Sequence, residues 1–224
     1  MQRLKITGAA ALAAVAAGAA GGPAAGAATL RTDTRCYQET QEVIVAGAGF
    51  TPLSAVTVAR DGRVLGTAQA DANGAFRNKF DTPELPDDVR ERLYSVHASD
   101  TINSAATSYR ATRIFANFRP SRGNPATLRV RFTVNGFGLV QRRAPVYLHY
   151  VRPNGKLRRT VRLGTATGVC GRIARTRRRH LFPFEAERGR WILQFDTRRK
   201  YDRATSNRRT PWVRKPVQIF AERG

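Results

Sequence analysis

Two residues of the chain carry the most reactive chemistry, Cys170 and His149. A thiolate paired with an imidazole is a nucleophile and its base. The other histidines, His97 and His180, stand far from His149 and from each other, with no metal-ligand spacing. No metal site and no cofactor is therefore expected. Asp71-Ala72-Asn73-Gly74 has the opening of a calcium loop, but such a loop needs Gly at its sixth position and an acid at its twelfth. Those positions hold Phe76 and Thr82. A hairpin turn that uses residues tolerant of positive φ is expected instead. Ser95, His97 and Ser99 fall on one strand face, where side chains point in parallel and should not converge. The acids of the second half are Glu185, Glu187, Asp196, Asp202 and Glu222, with no evident pair across a cleft for glycoside chemistry.

Charge is the other chemical resource. The net charge is +23. Residues 29–110 hold 9 basic and 11 acidic side chains, while residues 111–224 hold 28 and 5. The candidate polyanion-binding residues are Arg142, Arg143, Arg158, Arg159, Arg177, Arg178, Arg179, Arg198, Arg199, Lys200, Arg208 and Arg209. They are expected in turns or strand ends, where the loops of a sandwich can gather them. Such a patch attracts polyanions by charge and counterion release. The bland alternative is a solvated, Arg-rich surface. No helix suited to a DNA groove is evident, so sequence-specific nucleic-acid recognition is not expected.

The elements that must position these residues have a period of two. EVIVAGAGF, AVTVAR, RVLGTAQA, YSVHAS and SAATSYR are short, alternating or β-branched, and divided by turn signals. Asp61-Gly62 predicts a tight hairpin. Residues 86–93, PDDVRERL, predict one or two helical turns. The N-terminus has Arg3 and Lys5, a short Ala-rich apolar run and a small-x-small pattern at Ala25 and Ala27. These features predict a secretory signal peptide over 1–28, and with it an exported protein that keeps no transmembrane anchor after cleavage. In an oxidising compartment Cys36 and Cys170 can form one bridge; two free buried thiols are the alternative.

V-A-G-A-G-F-T-P-L-S-A-V-T-V (45–58), T-A-Q-A-D-A-N-G-A-F (67–76) and Y-S-V-H-A-S-D (94–100) resemble the bacterial Ig-like repeats of exported actinobacterial proteins. The resemblance covers about residues 36–110 and implies a Greek-key sandwich serving as spacer or binding module. Within the second half, VRFTVNGF (130–137) parallels VIVAGAGF (43–50), and residues 146–168 parallel 56–74. Matching Asp100-Thr101 to Asp196-Thr197 completes the parallel, but it places Val96 and Ala98 opposite Ile192 and Gln194. Trp191, Leu193 and Phe195 would then face the wrong way, since a one-residue slip reverses the faces; either a bulge intervenes or the two halves are less closely related than the parallel suggests. The same alignment puts Cys170 at the level of Phe76, a core position.

The expected architecture is all-β: a signal peptide (1–28) and two tandem Ig-like Greek-key β-sandwiches, at 29–111 and 112–224. The second is basic and is read as a divergent copy of the first. The expected function is that of a secreted or envelope-associated, non-enzymatic module that binds an anionic wall or extracellular polymer. Two alternatives stand beside it. T-G-V-C-G-R (167–172) with His149 resembles the cysteine L,D-transpeptidases of the bacterial wall, although the His-Gly before the family's Cys is missing. The other is a purely structural exported protein.

Overall fold

The computed structural model describes residues 27–139, 141–203 and 211–220. The signal-peptide segment, Arg208 and Arg209 therefore lie outside the described residues, apart from residues 27 and 28. The described chain is all-β, with sheets of the kind found in Ig-like and fibronectin-type sandwiches. None of its described segments is a helix long and apolar enough to cross a membrane.

The first half contains β1 (Thr29–Thr32), β2 (Cys36–Gln38), β3 (Glu42–Ala48), β4 (Ala55–Arg60), β5 (Arg63–Gln69), β6 (Phe76–Asp81), β7 (Glu91–Ser99) and β8 (Ser104–Thr112). They form a sheet ordered β1-β3-β6 and a sheet ordered β2-β8-β7-β4-β5, with β2 parallel to β8. The second half contains β9 (Phe115–Arg119), β10 (Arg129–Asn135), β11 (Pro145–Val151), β12 (Leu157–Thr165), β13 (Arg179–His180), β14 (Gly189–Asp196) and β15 (Trp212–Ile219). Its sheets run β13-β10-β9 and β12-β11-β14-β15. Element for element, the second pair of sheets has the strand order of the first, with no counterpart of β2 among the described residues.

Alternation explains the packing. Val43, Val45, Val56, Val58, Tyr94, Val96 and Ala98 are every second residue of their strands and are all buried in one apolar cluster. Phe132, Val134, Val146, Leu148, Tyr150, Trp191, Leu193 and Phe195 do the same in a second cluster. The clusters divide between Ala111 and Ile114. Each fully buried Val, Leu or Phe among them contributes about 1.5–3 kcal/mol by removal from water.

Turn chemistry follows the sequence with amendments. Asp61 and Gly62 both take positive φ, at 47° and 82°, as a two-residue hairpin needs. At 71–74 only Gly74 does so, at 73°, and a Cβ there would run into the Phe50 carbonyl oxygen. Asn73 does not take positive φ. The Asp71 carboxylate accepts hydrogen bonds from the Asn73 and Ala75 amides, so it closes the turn rather than presenting itself to a metal. Residues 86–93 are not helical. The Val89 amide bonds to Pro86 O in a single turn, and from Glu91 the chain is strand β7. Pairing of Glu91 and Arg92 with Thr112 and Ala111 outweighs the local helical pattern.

The strand register settles the one-residue discrepancy. Val58 pairs with Ala98, and Leu148 pairs with Phe195. Ala98 therefore corresponds to Phe195, and Ser99, not Asp100, to Asp196. Matching the two Asp-Thr pairs is wrong by one residue. Cys170 also moves. The Phe50 amide bonds to Gly74 O and the Phe137 amide to Gly171 O, so Gly171 is the counterpart of Gly74. Cys170 then corresponds to Asn73, in a turn, and not to Phe76. It is bonded to Cys36.

The halves meet through polar contacts. The buried Asn135 amide donates to Thr112 Oγ1 at 2.6 Å and to Arg90 O at 3.0 Å. Arg90 lies over the Phe115 ring, 4.3 Å from its centroid. Arg113 grips Glu39 with Nε and Nη2 at 2.7–3.0 Å.

Candidate functional site

Outward-facing positions of β12-β11-β14-β15 are the unusual ones. His149 pairs with Thr160 on one side and Gln194 on the other, and Gln194 pairs with Arg214. Directly opposed residues share a sheet face, so Thr160, His149, Gln194 and Arg214 form one polar row across all four strands. Asp196 lies two residues beyond Gln194 and hence on the same face. His149 and Gln194 are fully buried and Asp196 is 5% exposed.

A buried polar row persists only when its members are bonded to one another. His149 Nε2 lies 3.0 Å from Asp196 Oδ1 and 3.0 Å from Arg198 O. Both are acceptors, so Nε2 carries a hydrogen. His149 Nδ1 lies 2.8 Å from Thr160 Oγ1. The Gln194 amide donates to Asp196 Oδ2 and Asp202 O, and its oxygen accepts from Arg214 Nε. The Arg198 amide donates to Asp196 Oδ1, and its guanidinium pairs with Asp202 at 2.9 Å. The Tyr201 ring packs 5.6 Å from the imidazole. The segment 197–203 thus folds back over the sheet and covers the row.

Beside this cover is a pocket of ≈ 580 Å³ lined by Tyr147, Thr160, Arg162 and Arg199. Arg162 and Arg199 are exposed, Tyr147 and Thr160 half-buried. Arg162 also donates to Thr165 Oγ1. The pocket therefore offers two guanidinium groups and two hydroxyls, one of which is tied to a buried imidazole–carboxylate pair. Such a set can hold an anionic group.

Among the sequence candidates that are described, only Arg199 lines this pocket. Arg198 serves the cover, and Lys200 is exposed in it. Arg158 lies over the Phe184 ring at 5.3 Å and Arg159 donates to Pro183 O. Arg178 donates to Arg129 O, beside exposed Arg177, and Arg179 pairs with Val130 in the other sheet. Arg142, next to Arg143 in an exposed turn, lines a groove with Cys36, Leu139 and Val169. Tyr147, Thr160 and Arg162 escape a search for basic runs. The signal that finds them is alternation: Tyr147 and His149, then Thr160 and Arg162, mark the polar face of a hairpin.

His149 is thus engaged by Thr160 and Asp196, and Cys170 by Cys36 at an S–S distance of 2.06 Å. A sulfur in a disulfide is not a thiolate. The pairing of Cys170 with His149 that a thiol nucleophile requires is not made. Ser95 and His97 do meet, with Oγ 3.1 Å from Nε2, contrary to the expectation that side chains along one strand stay apart. The described residues contain no group of three or more His, Cys, Asp or Glu placed to hold a metal.

No family model matches the chain, and no curated protein matches it. Among solved structures it is similar to dimeric latent PorU from Porphyromonas gingivalis, at 12% identity and a TM-score of 0.33, over 86% of this chain and 19% of that one. It is similar to Salmonella alpha-2-macroglobulin reacted with methylamine, at 16% identity and 0.29, over 87% and 15%. It is also similar to a two-domain fibronectin type-III segment of chicken tenascin, at 10% and 0.29, over 85% and 97%. The chain spans less than a fifth of the first two.

Proposed function

We propose that the protein is an exported, non-enzymatic binding module built of two tandem Ig-like sandwiches, the second of which holds an anionic envelope or extracellular polymer. The observation that carries this is the Arg162–Arg199 pocket in a half with 28 basic and 5 acidic residues. One of those acids, Asp202, is paired with Arg198 in the cover and does not offset the pocket's charge. The Cys36–Cys170 bond supports an oxidising compartment, since such bonds are rare where thiols are kept reduced. It also ties the first half to the second, which suits a docking module that must present its basic face at a fixed orientation.

The test is retention of the mature protein on isolated cell walls and on immobilised wall polyanion as sodium chloride is raised. Binding should fall steeply between about 50 and 500 mM salt, since counterions released on binding then compete. R162Q/R199Q should weaken it more than R177Q/R178Q/R179Q. Retention that ignores salt and survives both sets of substitutions would overturn the proposal.

A further inference from the structure

We infer that the pocket formed by Tyr147, Thr160, Arg162 and Arg199 is a proton-linked receptor for one tetrahedral oxyanion group, a sulfate or phosphate on a polymer, with buried His149 setting the direction of the Thr160 hydroxyl. This rests on the polyanion reading above and adds to it a site and a control.

The control follows from where the hydrogens can sit. Nε2 of His149 faces two acceptors, Asp196 Oδ1 and Arg198 O, and so keeps its hydrogen in both charge states. Only Nδ1 can change. When it is bare, it is an acceptor, and the hydroxyl 2.8 Å away must donate to it. Thr160 then turns lone pairs toward the pocket, opposing an anion between Arg162 and Arg199. When Nδ1 is protonated it donates to Thr160 Oγ1. The threonine hydrogen is then free to point into the pocket and bond the anion. Binding and protonation each favour the other, by thermodynamic necessity. One proton is taken from solvent as the anion binds, and one is released as it leaves.

Groups of both signs surround the ring. Asp196 on β14 faces Nε2 directly. Tyr201 and the Arg198 carbonyl face it from the covering segment. The cations that oppose charging are Arg162 on β12, Arg198 and Arg199 on the cover and, through Gln194, Arg214 on β15. A bound oxyanion offsets the first and third of these. The row has no counterpart in the first half, where Ala59 occupies the position of His149. A nucleophilic role for Thr160 is less suited to this geometry. His149 exposes no surface, so a proton taken from the hydroxyl could reach a leaving group only back through Thr160.

The probes are sulfate, whose charge is constant over the range used, and a sulfated hexasaccharide. Each is titrated calorimetrically into the mature protein at pH 8 and pH 5.5, in two buffers of different ionisation heat. Affinity for the hexasaccharide should rise about fivefold or more on acidification, with net uptake of up to one proton per molecule bound. Thr160→Val should lose both the uptake and the rise while near-ultraviolet circular dichroism stays native. Thr160→Ser should keep both, and His180→Gln should leave the pH slope unchanged. Uptake with sulfate alone would extend the site to free anions, and uptake only with the hexasaccharide would confine it to polymer groups. Salt-sensitive binding without proton uptake, or uptake that persists in Thr160→Val, would overturn the receptor and leave the polyanion reading intact. No binding of the hexasaccharide even at low salt would remove both.

Discussion

The outer faces of the two large sheets occupy matching positions in the two halves, yet one is plain and the other is built. In the first half Thr57 pairs with Ser99 and Ala59 with His97. In the second half the same rows hold Tyr147 with Asp196 and His149 with Gln194. Ser99 and His97 are exposed, while Asp196 and Gln194 are buried. The difference comes from the connection that follows. After β7 the chain turns at once through Asp100–Asn103 into β8. Asp100 closes this turn, accepting from the Asn103, Thr51 and Ile102 amides, which hold its carboxyl well below the usual carboxylate range. After β14 the chain takes a longer route from Asp196 to Trp212, and its first part lies over the sheet. A sheet face under a loop can bury polar groups only by bonding them all. The covered face therefore became a network, and the uncovered face stayed a set of solvated side chains.

The largest effect expected from breaking this comparison concerns the bond that joins the halves. Cys36 and Cys170 are 134 residues apart in sequence. Closing a loop of that length restricts the unfolded chain by an amount worth about 5 kcal/mol in the chain-entropy model. Cys36→Ser with Cys170→Ser should lower stability by up to that amount. It should also let the two apolar clusters unfold separately. Differential scanning calorimetry checks this, because the wild type should show one transition, or two close ones, and the variant two well-separated ones. A variant that keeps a single unshifted transition would mean that the Asn135 and Arg113 contacts alone unite the halves.

Next in size is the contrast between Asp196 and Ser99. Asp196→Ala leaves the His149 Nε2 hydrogen with only the Arg198 carbonyl, and deprives the Gln194 and Arg198 amides of a partner. Buried groups orphaned in this way cost about 3 kcal/mol or more in sum. Ser99→Ala at the matching exposed position should change stability by less than about 0.5 kcal/mol. Urea titration of both variants, compared at constant m, measures the contrast. Equal effects would mean that the cover does not seal the second face.

How much of this could be seen in the sequence depends on its range of interaction. The period of two gave the strands, and Asp61-Gly62 gave its hairpin, because alternation and turn chemistry are local. Glu91 and Arg92 misled for the converse reason: a helix-like stretch was claimed by a strand partner twenty residues on, at Ala111 and Thr112. The parallel between the halves was visible in VRFTVNGF, but its register was not. Asp-Thr recurs for unrelated causes, once as a turn-closing aspartate and once as the end of a buried row. The basic runs are conspicuous because they are dense. The pocket instead uses a lone Arg162 and a lone Thr160, whose meaning comes only from His149 across the strand pair. The disulfide was one of two open outcomes of an even cysteine count, and only the fold placed the sulfurs together.

The smallest predicted effect sharpens the comparison at the seam between the halves. Glu39 is on the first half and Arg113 enters from the connection to the second. Partial burial pushes the Glu39 carboxyl up, but hydrogen bonds from Arg113 and the Leu85 amide outweigh it and hold the group below its usual value. A carboxylate lowered in the folded state stabilises above its unfolded value, and that contribution is lost as pH falls through the lowered one. The wild type should therefore lose stability on acidification below about pH 4 more steeply than Glu39→Gln. Glu39→Gln should be the less stable of the two at pH 7, and the two curves should converge as Glu39 protonates. Asp100 is lowered too, through backbone amides within the first half, so its share of the acid limb remains in both proteins. Melting temperatures recorded from pH 7 down to pH 2.5 separate the contributions. A constant gap between the two curves at every pH would show that Glu39 holds the seam by shape and hydrogen bonding alone, with no part played by its charge.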